Sequence, residues 1–138
     1  MAARDKIHEL VKQALIKDGW TITDDPFTIE FEKEYLYADL AAERTFVAEK
    51  DTRKIVVECK SFLGRSIIQD FKSALGHYRM YLQILAQTNP DYGLYLAIGE
   101  DTYNSGFQRR VIQFIIEIDK IPLIVIDLDE REVVQWIN

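Results

Sequence analysis

Residues 5–18 place Ile7, Leu10, Val11, Ala14 and Leu15 at helical spacing, and Gly19 follows where a helix end favours a left-handed residue. The pattern predicts an amphipathic first helix. Beyond the turn-like Asp24-Asp25-Pro26, the residues Phe27, Ile29 and Phe31 alternate with Thr28, Glu30 and Glu32, which is the period of a half-buried strand. A second strand is expected over 35–40. A third extended piece at 45–48 reaches the turn Lys50-Asp51-Thr52, and the run from Lys54 to Lys60 is strongly β-prone.

Gly64 interrupts this pattern, and Ser66-Ile67-Ile68-Gln69 has the spacing of a capping box ahead of Ile67, Ile68, Phe71, Ala74, Leu75, Tyr78, Leu82 and Leu85. A long core-facing helix follows, ending at Asn89-Pro90. The apolar run Gly93–Gly99 is of buried-strand type, and Ser105-Gly106-Phe107-Gln108 is a second capping box. It predicts a third helix to about Ile118, with Phe107, Val111, Phe114, Ile115 and Ile118 as its apolar side. Pro122 then opens the strand Leu123–Ile126, and Val133–Ile137 supplies the last one.

The expected order is αββββαβαββ. Late strands separated by helices pair parallel in α/β sheets, whereas early strands joined by short turns pair antiparallel. The fold class is therefore α/β, a mixed β-sheet flanked by helices. No repeat, Gly/Ser linker or long charge run divides the chain, so residues 1–138 are read as a single domain.

Composition narrows the functional classes. The 138 residues are 48% hydrophobic and 29% charged, enough apolar material for one core and enough charge for solubility. The lone cysteine, Cys59, permits no intramolecular disulfide. The start MAARDKIHEL lacks the apolar stretch of a secretory signal, and no 18-residue apolar run follows. A cytoplasmic, reducing setting without a membrane is the expectation. With 17 Lys+Arg against 23 Asp+Glu, the net charge of −6 repels phosphate, so strong unaided DNA binding is not expected. A local basic strip or a divalent cation can reverse that field at one site. An acidic surface equally suits a basic protein partner.

Strand periodicity sends Lys54, Val56, Glu58 and Lys60 to one face and Ile55, Val57 and Cys59 to the other. Tyr35, Tyr37 and Asp39 share a face of the earlier strand, so Asp39, Glu58 and Lys60 converge if the two strands are neighbours. Two carboxylates about 4 Å apart repel by about 4 kcal/mol at an effective dielectric of about 20, and a hard divalent cation between them removes that repulsion. Oxygen ligands favour Mg²⁺ or Mn²⁺ over zinc. A neighbouring ammonium can orient a water or neutralise charge that builds on phosphorus.

An acid, a gap, then Glu-x-Lys on a strand between two helices resembles the PD-(D/E)XK nuclease fold; here the matching residues are Asp39 and Glu58-Cys59-Lys60. Nearly the whole chain is similar to the XisH family. The similarity runs from His8 and Ala14–Thr23 through Tyr37-Ala38-Asp39-Leu40 to Glu58–Gly64 and Ala74-Leu75-Gly76. XisH controls excision of the fdxN element in heterocyst-forming cyanobacteria. The resemblance implies a restriction-endonuclease-like fold, a part in site-specific DNA rearrangement, and a companion excision factor, XisI, with a site-specific recombinase as a further partner. It implies Asp39 and Glu58 as metal ligands and Lys60 as the catalytic lysine. The chain departs from the nuclease pattern at Ala38, where proline often precedes the acid. Glu9 is the nominal early-helix acid, but it falls opposite the apolar stripe and should face water; His8, nearer the stripe boundary, is the better site-edge group.

Plainer readings compete with these. Glu58 and Lys60 can form a surface ion pair worth about 0–1 kcal/mol on a solvated sheet face. Asp39 can be a strand-end turn acid, and His8 a helix-flank histidine. Cys59 reads as core. Phe71 and Tyr78 lie on the core stripe, leaving Tyr81 as the aromatic open for base stacking. Arg65, Lys72, Arg79, Arg109 and Arg110 are the available phosphate contacts, with a solvated helix face as the commoner explanation for Arg109-Arg110. No Walker loop, GxGxxG, HExxH or GxSxG occurs, so those chemistries have no support. The two functions in contention are a metal-dependent nuclease acting in excision, and a non-catalytic nuclease-fold module that holds a partner factor or recombinase.

Overall fold

A computed structural model describes residues 3–25, 27–36, 45–51 and 53–138. Asp39 lies outside the described residues. Helix α1 (Ala3–Lys17) is followed by strands β1 (Thr21–Asp24), β2 (Ile29–Phe31), β3 (Glu34–Leu36), β4 (Thr45–Lys50) and β5 (Arg53–Cys59). Helix α2 (Ile67–Thr88) leads to β6 (Tyr92–Gly99), then to the short α3 (Glu100–Asn104), a single 3₁₀ turn (Gly106–Gln108), α4 (Arg110–Asp119), β7 (Leu123–Asp127) and β8 (Glu132–Ile137).

The main sheet has six strands in the order β1-β4-β5-β6-β7-β8, and β2-β3 forms a separate antiparallel ribbon. β5, β6 and β7 run parallel, while β1-β4, β4-β5 and β7-β8 are antiparallel. This is the mixed sheet expected from helices separating only the later strands. α1 covers one face with Ile7, Val11, Ala14 and Leu15 against Ile55, Val57, Cys59, Ala97 and Ile124. α2 and α4 cover the other, packing Phe71, Ala74, Tyr78, Tyr81 and Ile112 against Val56, Leu94, Leu96, Ile98 and Leu123. Two crossovers of one hand, advancing in one direction along the sheet, put their helices on the same side.

Local signals explain most boundaries. Gly19 leaves α1 at φ +96, and the Ser66 side chain accepts from the Gln69 backbone N–H at 3.2 Å to cap α2. Among the described residues the order departs from αββββαβαββ in three places: β1, the short α3 ahead of the expected third helix, and a break within that helix. β1 is an additional strand, since five rather than four strands precede α2 among the described residues. It is four residues long, sits at a sheet edge and is mostly exposed, so it carries little apolar alternation. The third helix is also broken. Ser105 Oγ donates to the Asp101 carbonyl instead of capping, and Arg109 takes an extended conformation (φ −64, ψ 137) that separates the 3₁₀ turn from α4.

That break resets the helical phase. Phe107 is buried at 1% exposure, but Val111, Phe114 and Ile118, expected in the core, are 52%, 58% and 63% exposed, and Ile112 is buried instead. A periodicity counted from Phe107 runs through a residue that is not helical. On α2, Tyr81 is buried rather than open, and Leu82 is 40% exposed rather than on the stripe. The buried positions Phe71, Ala74, Tyr78, Tyr81 and Leu85 advance by three or four residues throughout, a narrower seam than the sequence suggests.

Candidate functional site

The last five residues of β5 are buried, and Glu58 and Lys60, at 3% and 8% exposure, project to the α2 side. This removes the solvated-face reading, because α2 and the loop after β5 cover that face. Cys59 points the opposite way, fully buried among Ile55, Val57 and Ala97 as its alternation requires. In the sheet, Glu58 sits opposite Thr45 of β4 and beside Leu96 of β6, and the Lys60 N–H donates to the Ala97 carbonyl at 3.2 Å. A carboxyl and an amine are thus held in the interior at the end of β5, where a charge needs compensation from its surroundings.

The loop after Lys60 is tightly built. Phe62 adopts φ +55, a conformation that costs an L-residue about 1 kcal/mol or more. Its ring meets Phe107 edge-on at 5.0 Å, and Phe107 in turn meets Phe71 of α2 at 5.8 Å. The Gly64 N–H donates to Asp70 Oδ2 at 2.8 Å, and a Cβ on Gly64 would come 2.6 Å from Asp70 Oδ1. These contacts hold the chain leaving Lys60 against the start of α2.

The structure adds a residue that the sequence reading did not single out. His77, on α2, is half-buried, and its pKa is lowered first by that burial and then by the positive charge of Lys60. Both influences favour the neutral form of the imidazole. The available signal was its place three residues after buried Ala74, on the flank of the core stripe.

A second polar group forms around α1. His8 Nε2 and Asp25 Oδ1 are 2.8 Å apart, and Lys12 Nζ donates to Asp25 Oδ2. His8 is 1% exposed, so it is interior rather than a helix-flank residue, while Glu9 is exposed as its wheel position predicts. Burial works to raise the Asp25 pKa, but the Lys12 hydrogen bond and the charges of His8 and Lys12 outweigh it and hold the carboxyl below its ordinary range. The Asp25 hydrogen bond correspondingly raises Lys12, against its own desolvation. His8, Glu9 and Asp25 could offer one ligand atom each to a cation, all within 4.8 Å of one another. The Lys12 ammonium already bonds one oxygen of this group, so we read it as a clamp rather than a metal centre.

β1 and β5 both run antiparallel to β4, so Asp25 and Lys60 follow strands that end at the same edge of the sheet. A cleft of about 500 Å³ opens along that edge, lined by Ser61 and Leu63 after β5, Asp101 after β6, Leu128 and Asp129 after β7, and Ile7 and Leu10 of α1. The carboxyl edge of parallel strands is where open α/β sheets bind ligands. Of the phosphate-contact candidates, Arg65, Lys72, Arg79, Arg109 and Arg110 are all exposed, and Arg79 is paired with Asp119 at 2.9 Å. No helix among the described residues is long and apolar enough to cross a membrane.

Fold and site together define an α/β protein with a buried acid and lysine at the carboxyl edge of a mixed sheet. Comparison gives the family: the chain matches the XisH protein family model over residues 1–134 and belongs to that family. It is similar to a crystal structure of an fdxN element excision controlling factor protein from Anabaena variabilis. That match is 41% identical with a TM-score of 0.89, covering 98% of this chain and 100% of the other. It is also similar to an XisH family protein from Nostoc punctiforme PCC 73102, at 36% identity and a TM-score of 0.89 over 96% and 99% of the two chains. A comparison with curated proteins finds no match.

Proposed function

We propose that this protein takes part in excision of an fdxN-type DNA element, as its Anabaena relative is named for, and that it does so with a restriction-endonuclease-like site that hydrolyses phosphodiesters. The observation that carries the reading is the burial of both Glu58 and Lys60 on one face at the sheet's carboxyl edge. A surface ion pair contributes little and is readily lost. A carboxylate and an ammonium retained in the interior are costly there, and such costs concentrate at functional sites.

The donor chemistry suits a hard cation. Glu58 supplies carboxylate oxygens from the buried end of β5, and Asp39 is the second oxygen donor in this reading, so the two would hold Mg²⁺ or Mn²⁺. Bound there, the ion would neutralise the paired carboxylates and lower the pKa of a coordinated water. Lys60, one strand period from Glu58, would neutralise charge building on a phosphoryl oxygen. Burial and the charge of Lys60 lower the His77 pKa, which disfavours a competing positive charge there. The Phe62–Gly64 loop positions Lys60 through its packing on Phe107 and its bond to Asp70.

The net charge of −6 supports a role inside an assembly rather than alone on DNA, with a companion factor of the XisI kind or a recombinase as partner. The test is cleavage of supercoiled, linear and branched DNA with Mg²⁺ or Mn²⁺, with and without the companion factor. Lys60→Ala is the control, and divalent binding by calorimetry is compared with the Asp39→Ala, Glu58→Ala double variant. Cutting that disappears with Lys60, together with binding that disappears with the two acids, is the expected result. If no condition supports cutting and the companion still co-purifies, the protein is the non-catalytic module that holds its partner.

A further inference from the structure

We infer that the outer face of α4 is where two copies of this chain pair, antiparallel about a two-fold axis near Phe114. The reading is independent of the site above. Val111, Phe114 and Ile118 are 52%, 58% and 63% exposed. At about 100° per residue they fall within about 60° of one another, directed away from buried Ile112. Such a stripe is the face that a helix normally turns to a core, and here no element among the described residues covers it. Leu82 of α2 is 40% exposed, and the Arg79–Asp119 bond joins α2 to α4.

Charge identifies the occupant. Arg110 and Glu117 are exposed and stand seven residues apart on one flank of the stripe. An antiparallel second copy centred near Phe114 brings Arg110 beside the partner's Glu117 and Glu117 beside the partner's Arg110, while Val111 meets the partner's Ile118. One isologous patch then satisfies both charges twice, as two-fold symmetry requires. The helix dipole gives a separate argument. α4 has no acid in its first turn and no base in its last; Arg110 stands at its start, and Glu117 and Asp119 near its end. This arrangement opposes the helix's own dipole. Against an antiparallel neighbour the opposition is relieved, because each arginine end lies beside the other helix's acidic end. An unrelated partner would have no reason to match this spacing, whereas a second copy matches it automatically.

The test is the mass of the full chain by sedimentation and light scattering across a concentration series reaching about 100 µM, the upper range for weak homodimers. A dimer is expected. Phe114→Glu should leave a monomer with unchanged circular dichroism, since the side chain is exposed. Arg110→Glu alone, or Glu117→Arg alone, should raise the dimer dissociation constant by about tenfold or more, and the double exchange should return it to within about threefold of the parent. Arg110→Glu improves the helix's own dipole, so its loss of pairing is not a loss of folding. A parent that is monomeric throughout, or a dimer indifferent to Phe114→Glu and to both charge reversals, overturns the proposal. A face reserved for a different protein would give the first of these outcomes.

Discussion

His8 Nε2 and Asp25 Oδ1 lie 2.8 Å apart, joining the first helix to the chain leaving the edge strand across 17 residues of sequence. The carboxylate's second oxygen accepts from Lys12, one helical turn beyond His8. One acid thus fastens two side chains of α1, and the histidine is interior while the lysine is partly exposed. Removing either histidine or acid leaves a polar group of the interior short of its partner. His8→Ala and Asp25→Asn are each expected to lower unfolding free energy by about 1–3 kcal/mol, read from urea transitions at neutral pH. A change near zero for both would dismiss the clamp.

The same group sets a pH dependence. The folded Asp25 pKa lies below its ordinary value of 3.8, so its contribution is present above that value and is lost as pH falls through the folded one. Lys12 is raised above 10.5, so its contribution is present below that value and is lost as pH rises through the folded one. The parent should therefore lose stability at both extremes more steeply than Asp25→Asn, whose urea midpoint should vary less at each end. Parallel curves for the two proteins would remove Asp25 as the cause.

His77 offers a spectroscopic check on the site. Burial is the larger influence on its imidazole and the charge of Lys60 the smaller, so Lys60→Met should move its pKa upward while leaving it below the ordinary histidine value. A pH titration of the ring resonances follows this directly. An unmoved midpoint would mean that the two side chains do not sense each other.

The broken third helix predicts a contrast between two phenylalanines seven residues apart. Phe107 packs edge-on against Phe62 and Phe71, and Phe107→Ala should cost about 3–5 kcal/mol. Phe114 is 58% exposed, and Phe114→Ala should change stability by under about 0.5 kcal/mol at high dilution, where copies do not pair. Equal costs would restore the continuous stripe that a simple count suggests.

The cap of α2 is a local test. Ser66 accepts from the Gln69 N–H at 3.2 Å, so Ser66→Ala should cost about 1 kcal/mol, and Ser66→Asp should recover most of it. Thermal melts of the three proteins suffice, and an alanine variant as stable as the parent would show that the cap contributes nothing.

Features governed by nearest neighbours were legible in the chain itself. The Gly19 helix end, the Ser66 cap, the alternation that buries Cys59 opposite Glu58 and Lys60, and the division between antiparallel strands joined by short turns and parallel strands separated by helices all follow from local spacing and connection length. The acid-x-lysine pattern and the family were readable for the same reason, being contiguous residues. What the chain alone left open depends on groups distant in sequence. β1 owes its place to pairing with β4 rather than to its own few side chains, and the phase of α4 turns on the extended conformation of Arg109. Whether Glu58 and Lys60 faced water was undecidable from periodicity, because alternation assigns a residue to a face without saying what covers it. Only the packing of α2 and its preceding loop over that face made them interior and brought His77 within the electrostatic reach of the lysine, and only the docking of α1 on the opposite face brought His8 to Asp25. Local rules act through bond geometry over a few residues, while burial and partnership are set by whichever distant surface arrives.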